Sequence, residues 1–236
     1  MLGYIIAIVI LLIICILAST LCYRAYYLYY VPFYKNSYPR QLVSKAVIRP
    51  GDLILFVASV HNYVNSMLTC SFFSHAGMAV MYEGKLYISE STRQTYFPDK
   101  NGKMTRTMDQ TQLFPLYTRL KYYAGYIYHL KLNRDLDPRR RARLDDVIMG
   151  LEQNPIRYPY FSESIINILG FRTNALHCFG LQYKLLRAIN LLPECEHPKG
   201  FLTCSKLICN LDQYDLPDGY KYASPVQLLY DLDCID

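Results

Sequence analysis

The chain has 236 residues, of which 52% are hydrophobic and 19% charged, and its formal net charge is +6. This composition excludes an intrinsically disordered chain and leaves room for one globular domain with a substantial core. The eight cysteines lack the regular spacing of a small disulfide scaffold, which favours reduced thiols.

The first feature along the chain is an apolar run from Leu2 to Cys22, whose only ionisable side chains are tyrosine and cysteine. About twenty helical residues span the hydrocarbon core of a bilayer. We therefore predict a transmembrane anchor over residues 1–23 that contacts membrane lipid through residues 2–22, with a cleaved signal peptide as the alternative. Because the basic residues follow this run, the domain is expected to face the cytoplasm.

The remaining chain is predicted to form a linker over residues 24–48 and one domain over residues 49–236. Apolar runs separated by turn residues predict strands, and apolar residues at helical spacing predict helices. Strands are predicted at 53–58, 78–82, 85–89 and 126–132, a short helix at 61–71, a long loop at 92–115, and helices at 138–153, 175–191, 203–212 and 224–231. The expected fold class is α+β, a small antiparallel sheet packed with helices and preceded by one transmembrane helix.

A run of arginines follows Asp137-Pro138, a pair typical of a helix start. The run comprises Arg139, Arg140, Arg141 and Arg143. Anionic lipid and nucleic acid are possible partners of such a run, but most runs of this kind are solvated helix faces. We therefore predict no specific nucleic-acid partner.

Three reactive side chains lie at the ends of predicted elements. His75 lies at the mouth of the strand predicted at 78–82, Glu90 lies at the end of the strand predicted at 85–89, and Cys204 follows Thr203, a good cap for a helix start. A helix N-terminus lowers the pKa of a thiol, a histidine can act as its base, and a carboxylate can orient the histidine. Each residue alone is more often structural, so the prediction depends on their combination.

A metal site is the competing interpretation of His177 and Cys178. Two adjacent residues rarely share one metal ion, and no second Cys/His pair at zinc spacing accompanies them. We therefore predict neither a metal ion nor a cofactor.

Four short motifs carry a resemblance to a known family: Gly51-Asp52-Leu53-Ile54-Leu55-Phe56, Ser74-His75-Ala76-Gly77-Met78, Ser89-Glu90 and Cys204-Ser205-Lys206-Leu207-Ile208. In this order they resemble the circularly permuted branch of the NlpC-type papain-like cysteine hydrolases. Within it they are similar to the YiiX-type hydrolases, which include proteins of poxviruses and other large DNA viruses. The resemblance implies a permuted papain-like domain, with Cys204 as nucleophile, His75 as base and Glu90 as the residue that orients the base.

The expected function is a membrane-anchored cysteine hydrolase of the peptidase or amidase type. It would cleave an amide bond in a peptide or an acylated amine through a thioester, as a single-pass protein of a host or virion membrane. Two alternatives remain open: a lipid-directed thiol acyltransferase or phospholipase, and a non-catalytic viral membrane or virion protein. A deep apolar groove favours lipid, a narrow polar cleft favours peptide, and a nucleophile out of reach of His75 favours the structural role.

Overall fold

The computed structural model describes residues 4, 8–15, 17–18, 38–58, 73–93, 96–98, 103–123, 125–159, 177–192, 211 and 216–230. Its strands are β1 (Arg40–Leu42), β2 (Leu53–Ala58), β3 (His75–Tyr82), β4 (Lys85–Thr92), β5 (Tyr96–Pro98), β6 (Met104–Arg106), β7 (Gln110–Pro115), β8 (Gly125–Leu130) and β9 (Val226–Leu229). Its α-helices are α1 (Leu116–Lys121), α2 (Pro138–Gln153) and α3 (Cys178–Ala188), and residues 8–15 are also helical.

Within the described residues, seven of these strands form one mixed sheet in the order β1-β9-β8-β2-β3-β4-β7. The β1 and β9 strands pair in parallel, and the other neighbours pair antiparallel. The β5 and β6 strands pair antiparallel in a separate two-stranded sheet.

Side chains of β2 alternate between the two faces of the sheet, because successive residues of a strand point in opposite directions. Leu53 and Leu55 belong to a core cluster that α2 and α3 complete on one face. Ile54 and Phe56 belong to a second cluster on the other face, completed by α1 and by residues 43–48. The sheet is therefore the middle layer of the fold.

Several predicted elements are confirmed. The strand at 53–58 coincides with β2, and the helix at 138–153 coincides with α2, where the Asp137 carboxylate accepts a hydrogen bond from Arg140 N. The predicted hairpin is β3 and β4, and its turn residues Glu83 and Gly84 both have positive φ, 47° and 74°. Left-handed conformations at both positions are what a two-residue type I′ turn requires.

The predicted fold class is wrong in the size and type of the sheet. The sheet is large and mixed, so the fold is mixed α/β rather than a small antiparallel sheet with helices. The loop predicted at 92–115 contains β5, β6 and β7, and the helix predicted at 224–231 is replaced by β9. Val226–Leu229 pairs with strands on both sides, and a segment of four residues is too short for its periodicity to distinguish strand from helix.

The predicted transmembrane helix is also wrong. In the part of the chain that the structure describes, no helix is both long enough and apolar enough to cross a membrane. The expectation of a single-pass membrane protein is corrected on the same finding.

The predicted linker and two of the predicted helices have other outcomes. Residues 40–48, placed in the linker by the sequence, contribute β1 and the buried side chains of Val43, Ala46 and Ile48. The helices predicted at 61–71 and 203–212 lie outside the described residues, apart from Leu211.

Candidate active site

Three structural elements meet at one end of the sheet and bring a thiol, an imidazole and a carboxylate together. His75 is the first residue of β3, Glu90 lies on β4, and Cys178 is the first residue of α3. The antiparallel pairing of β3 with β4 places the start of one strand beside the end of the other. The N-terminus of α3 reaches the same place because α3 packs against both strands.

His75 and Glu90 form a short hydrogen bond, with 2.6 Å between His75 Nε2 and Glu90 Oε2. The Glu90 side chain is fully buried, whereas 17% of the His75 side chain remains exposed. The His75 ring also lies 5.4 Å from the ring of Phe56, its partner on β2. Because Glu90 occupies Nε2, Nδ1 is the ring nitrogen left to face the thiol.

Arg119 of α1 holds the other side of Glu90. Its Nε donates to Glu90 Oε1 at 2.9 Å, and a terminal nitrogen donates to Glu90 Oε2 at 3.1 Å. The guanidinium lies over the rings of Phe56, Phe114 and Tyr123, at 5.3, 5.6 and 5.4 Å. Burial alone would raise the pKa of Glu90, but Arg119 and His75 outweigh it and lower that pKa to about 2.

Cys178 is buried at the start of α3, with 4% of its surface exposed. The preceding residue, His177, caps the helix by accepting a hydrogen bond from Gly180 N at 3.3 Å. The Cys178 thiol lies near His75 and His177, and both histidines favour its ionised form. Burial opposes ionisation of this thiol, but these two histidines outweigh burial and lower the pKa of Cys178 to about 6.

The pKa of His75 moves in the opposite direction. Burial would lower it, but Cys178 and Glu90 stabilise the imidazolium and raise the pKa of His75 to about 9. At neutral pH the pair is therefore a thiolate and an imidazolium, the reactive form of a cysteine nucleophile.

Two phenols among the described residues also lie near the thiol. Burial and the charge of Cys178 raise the pKa of Tyr158. Burial also raises the pKa of Tyr123. Both phenols therefore stay protonated near neutral pH.

Gly77 makes room for Glu90 on the neighbouring strand. A Cβ atom at Gly77 would lie 2.9 Å from Glu90 Cγ and 2.5 Å from Ile88 Cδ1, closer than atoms can pack. The absence of a side chain at Gly77 therefore leaves the space beside β3 that the Glu90 side chain occupies.

The predicted site residues have different outcomes. The structure brings His75 and Glu90 together, whereas Cys204 lies outside the described residues. The thiol that contacts His75 is Cys178, which the sequence analysis had assigned only to a rejected metal pair. The helix predicted at 175–191 could have pointed to this thiol, because His177 can cap the start of that helix and Cys178 then lies in its first turn.

Arg119 was also missed, because nothing in the sequence around it identifies the carboxylate that its side chain binds. Among the described residues, no group of three or more His, Cys, Asp or Glu side chains can hold a metal ion.

A second buried histidine–carboxylate pair lies near the start of β2 and stabilises the fold. His129 Nε2 lies 2.8 Å from Asp52 Oδ2, and the same carboxylate accepts from Leu132 N at 2.8 Å and from Arg49 N at 2.9 Å. These bonds tie the turn before β2 to β8 and the residues after it. They involve none of the residues of the Cys178 cluster, which consists of Cys178, His75, Glu90 and Arg119.

The fold and the cluster together define a mixed α/β protein with a buried cysteine–histidine–glutamate arrangement. No protein-family model and no curated protein sequence matches the chain. A similar solved structure is the metalloprotein YiiX from Escherichia coli O157:H7, with 14% sequence identity, coverage of 75% of this chain and 97% of that chain, and a TM-score of 0.42. At this similarity the likeness concerns a YiiX-like fold at most, and the comparisons give no support to a viral origin.

Proposed function

We propose that the protein is a cysteine hydrolase in which Cys178 is the nucleophile, His75 the general acid and base, and Glu90 the residue that orients His75. The observation that carries this proposal is the placement of the Cys178 thiol, at a helix N-terminus, beside a His75 ring that is itself hydrogen-bonded to Glu90. The three groups occur in the order histidine, glutamate, cysteine along the chain. The proposed substrates are amides of peptides or acylated amines.

The first half of the reaction forms an acyl-enzyme. The Cys178 thiolate attacks the carbonyl carbon, and the negative charge passes to the carbonyl oxygen. The backbone N–H groups of Cys178 and Phe179 precede those of Gly180 and Leu181, which bind His177, so they are available to stabilise that oxygen. The carbon–nitrogen bond then breaks, the amine leaves with a proton from the His75 imidazolium, and a thioester remains on Cys178.

The second half of the reaction restores the free enzyme. Neutral His75 removes a proton from a water molecule, which attacks the thioester carbonyl. The carbon–sulfur bond breaks, the acid product leaves, and the thiolate again faces an imidazolium. Glu90 keeps the ring oriented throughout, because Arg119 holds the carboxylate in place from its far side.

Labelling with iodoacetamide at neutral pH, followed by peptide mapping, tests the assignment of the nucleophile. We expect Cys178 to be modified first and the Cys178→Ser variant to lose both the label and the hydrolysis of amide substrates. The exposed Cys15 supplies an internal control, since it lies outside the Cys178 cluster. Preferential labelling of Cys204 would contradict the assignment of Cys178.

Mass spectrometry of the intact protein tests the class of reaction. Incubation with acylated amines or peptides should leave an acyl group on Cys178 of the wild-type protein and none on the Cys178→Ser variant, and lipid esters are incubated in parallel for comparison. Acylation by lipid esters alone would favour the acyltransferase or phospholipase alternative. A Cys178 thiol that is not acylated by any substrate class and titrates normally would favour a structural role.

A further inference from the structure

Gln182 joins the helix that carries the thiol to the two strands that carry its partners. Its side-chain Nε2 donates to the carbonyl oxygen of Ala76 at 3.3 Å and to that of Ser89 at 3.2 Å. Ala76 directly follows His75, and Ser89 directly precedes Glu90. One side chain therefore links the backbone next to the imidazole with the backbone next to the carboxylate.

The position of Gln182 on α3 adds to this relationship. Gln182 follows Cys178 by four residues, so both side chains project from the same face of the helix. That face is otherwise apolar, with Leu181 and Leu185 fully buried beside it. The amide is therefore held one helical turn from the thiol.

Gln182 is a poor choice for packing alone. Its side chain is fully buried, and its Oε1 has no hydrogen-bond partner within the part of the chain that the structure describes. A buried acceptor without a partner opposes folding, and an apolar side chain of the same length avoids that penalty. The two hydrogen bonds that Gln182 Nε2 donates explain why this position holds a glutamine.

We propose that Gln182 is a positioning residue, which sets the distance between the Cys178 thiol and the His75 ring by fixing α3 against β3 and β4. This inference rests on the proposed function, because it concerns the geometry of the same nucleophile and base. The hydrogen bonds of Gln182 go to the backbone of the two strands, so its effect passes through the placement of α3 against β3 and β4.

The test is the pH dependence of Cys178 alkylation by iodoacetamide, which needs no substrate. Gln182→Met keeps the length of the side chain and removes the donor, so we expect the midpoint to rise by about one pH unit, a tenfold loss of thiolate below the midpoint. Gln227→Met is the matched control, since Gln227 is also a buried glutamine with an Oε1 that lacks a partner among the described residues, but it lies on β9. That control should titrate as the wild type does.

A double variant separates positioning from a general structural effect. In the His75→Ala background, Gln182→Met should cause no additional change in the midpoint, because the partner that Gln182 positions is gone. An unchanged low midpoint in Gln182→Met, or an equal shift with and without His75, overturns the inference and leaves the proposed nucleophile intact. A wild-type midpoint at about 8.5, the ordinary value for a thiol, overturns the proposed function instead.

A second variant and a measurement on the wild-type protein test the inference without depending on whether Gln182→Met folds. Gln182→Leu is a second donor-free variant with the same expected direction. In the wild-type protein, NMR hydrogen exchange should show protected side-chain amide protons at Gln182 and unprotected ones at the exposed Gln153. Equal exchange at the two glutamines would contradict the bonds on which the inference depends.

Discussion

Arg119 donates hydrogen bonds to both carboxylate oxygens of Glu90, and His75, on the neighbouring strand, is hydrogen-bonded to one of the same two oxygens. Arg119, Glu90 and His75 thus form one group of ionisable side chains, in which the Glu90 side chain is fully shielded from solvent. Because a buried carboxylate is stable only when its charge is balanced, Arg119 is what permits Glu90 to stay ionised next to His75. The ionised Glu90 in turn stabilises the imidazolium that the thiolate needs.

The first prediction concerns the stability of this charge cluster. Arg119→Met should lower the free energy of unfolding by about 3–5 kcal/mol, because Glu90 then remains buried with His75 as its sole charged partner among the described residues. The double variant Arg119→Met/Glu90→Gln should recover part of that loss, since it removes the uncompensated charge. Urea unfolding at pH 7 measures both effects.

The matched control is an ion pair at the surface. Arg49 and Asp135 approach to 2.6 Å, but 77% of the Asp135 side chain is exposed. Asp135→Asn should therefore cost at most about 1 kcal/mol. Equal losses for Arg119→Met and Asp135→Asn would show that the buried position of Glu90 has no energetic consequence.

The second prediction concerns pH. The folded-state pKa of Glu90 lies below its ordinary value of 4.5, so its contribution to stability is present above that value and disappears as the pH falls towards about 2. The difference in unfolding free energy between wild type and Glu90→Gln should therefore shrink through that window. A difference that stays constant from pH 5 down to pH 2 would contradict an ionised, stabilising Glu90.

The third prediction concerns the reactivity of the thiol. Iodoacetamide should alkylate Cys178 with a midpoint near pH 6, and hydrolysis should rise through pH 6 and fall through pH 9 as His75 loses the proton needed by the leaving amine. In His75→Ala the alkylation midpoint should rise, because the largest interaction that opposes burial is removed and His177 alone remains to favour the thiolate. Identical midpoints for the two proteins would mean that Cys178 gains nothing from His75.

The strands that hold His75 and Glu90 could be predicted because their signals are local. Glu83-Gly84 is a strong turn signal between two apolar segments, which become β3 and β4. Once the hairpin is in place, its pairing brings the start of one strand beside the end of the other. The proximity of His75 to Glu90 therefore follows from a few neighbouring residues.

The partners contributed by distant segments could not be predicted in the same way. Cys178 begins a helix more than a hundred residues after His75, and Arg119 belongs to a six-residue helix between β7 and β8. Their contacts depend on how α3 and α1 pack on opposite faces of the sheet. The β9 strand was missed for a related reason, since Val226–Leu229 is extended because of the strands on both sides of it.

The fourth prediction compares two glycines. Gly77→Ala should be strongly destabilising and should raise the alkylation midpoint of Cys178, because the new Cβ would displace Glu90 or Ile88. Gly150→Ala is the control: it lies in α2, where a Cβ meets nothing within 4 Å, so alanine should add about 0.5–1 kcal/mol of stability. If Gly77→Ala keeps wild-type stability and reactivity, Glu90 does not depend on the space beside β3.

The last prediction separates the buried pair of Asp52 and His129 from the Cys178 cluster. Asp52→Asn should lower the free energy of unfolding by about 3 kcal/mol, because the carboxylate accepts bonds from His129 Nε2 and from two backbone N–H groups. The alkylation midpoint of Cys178 should remain that of the wild type, because Asp52 has no bond to any member of the cluster. Asp52→Asn thus serves as a destabilised control for Gln182→Met: loss of stability alone leaves the thiol pKa unchanged, whereas loss of positioning does not. A midpoint that rises in Asp52→Asn as far as in Gln182→Met would show that the pKa of Cys178 follows global stability rather than local geometry.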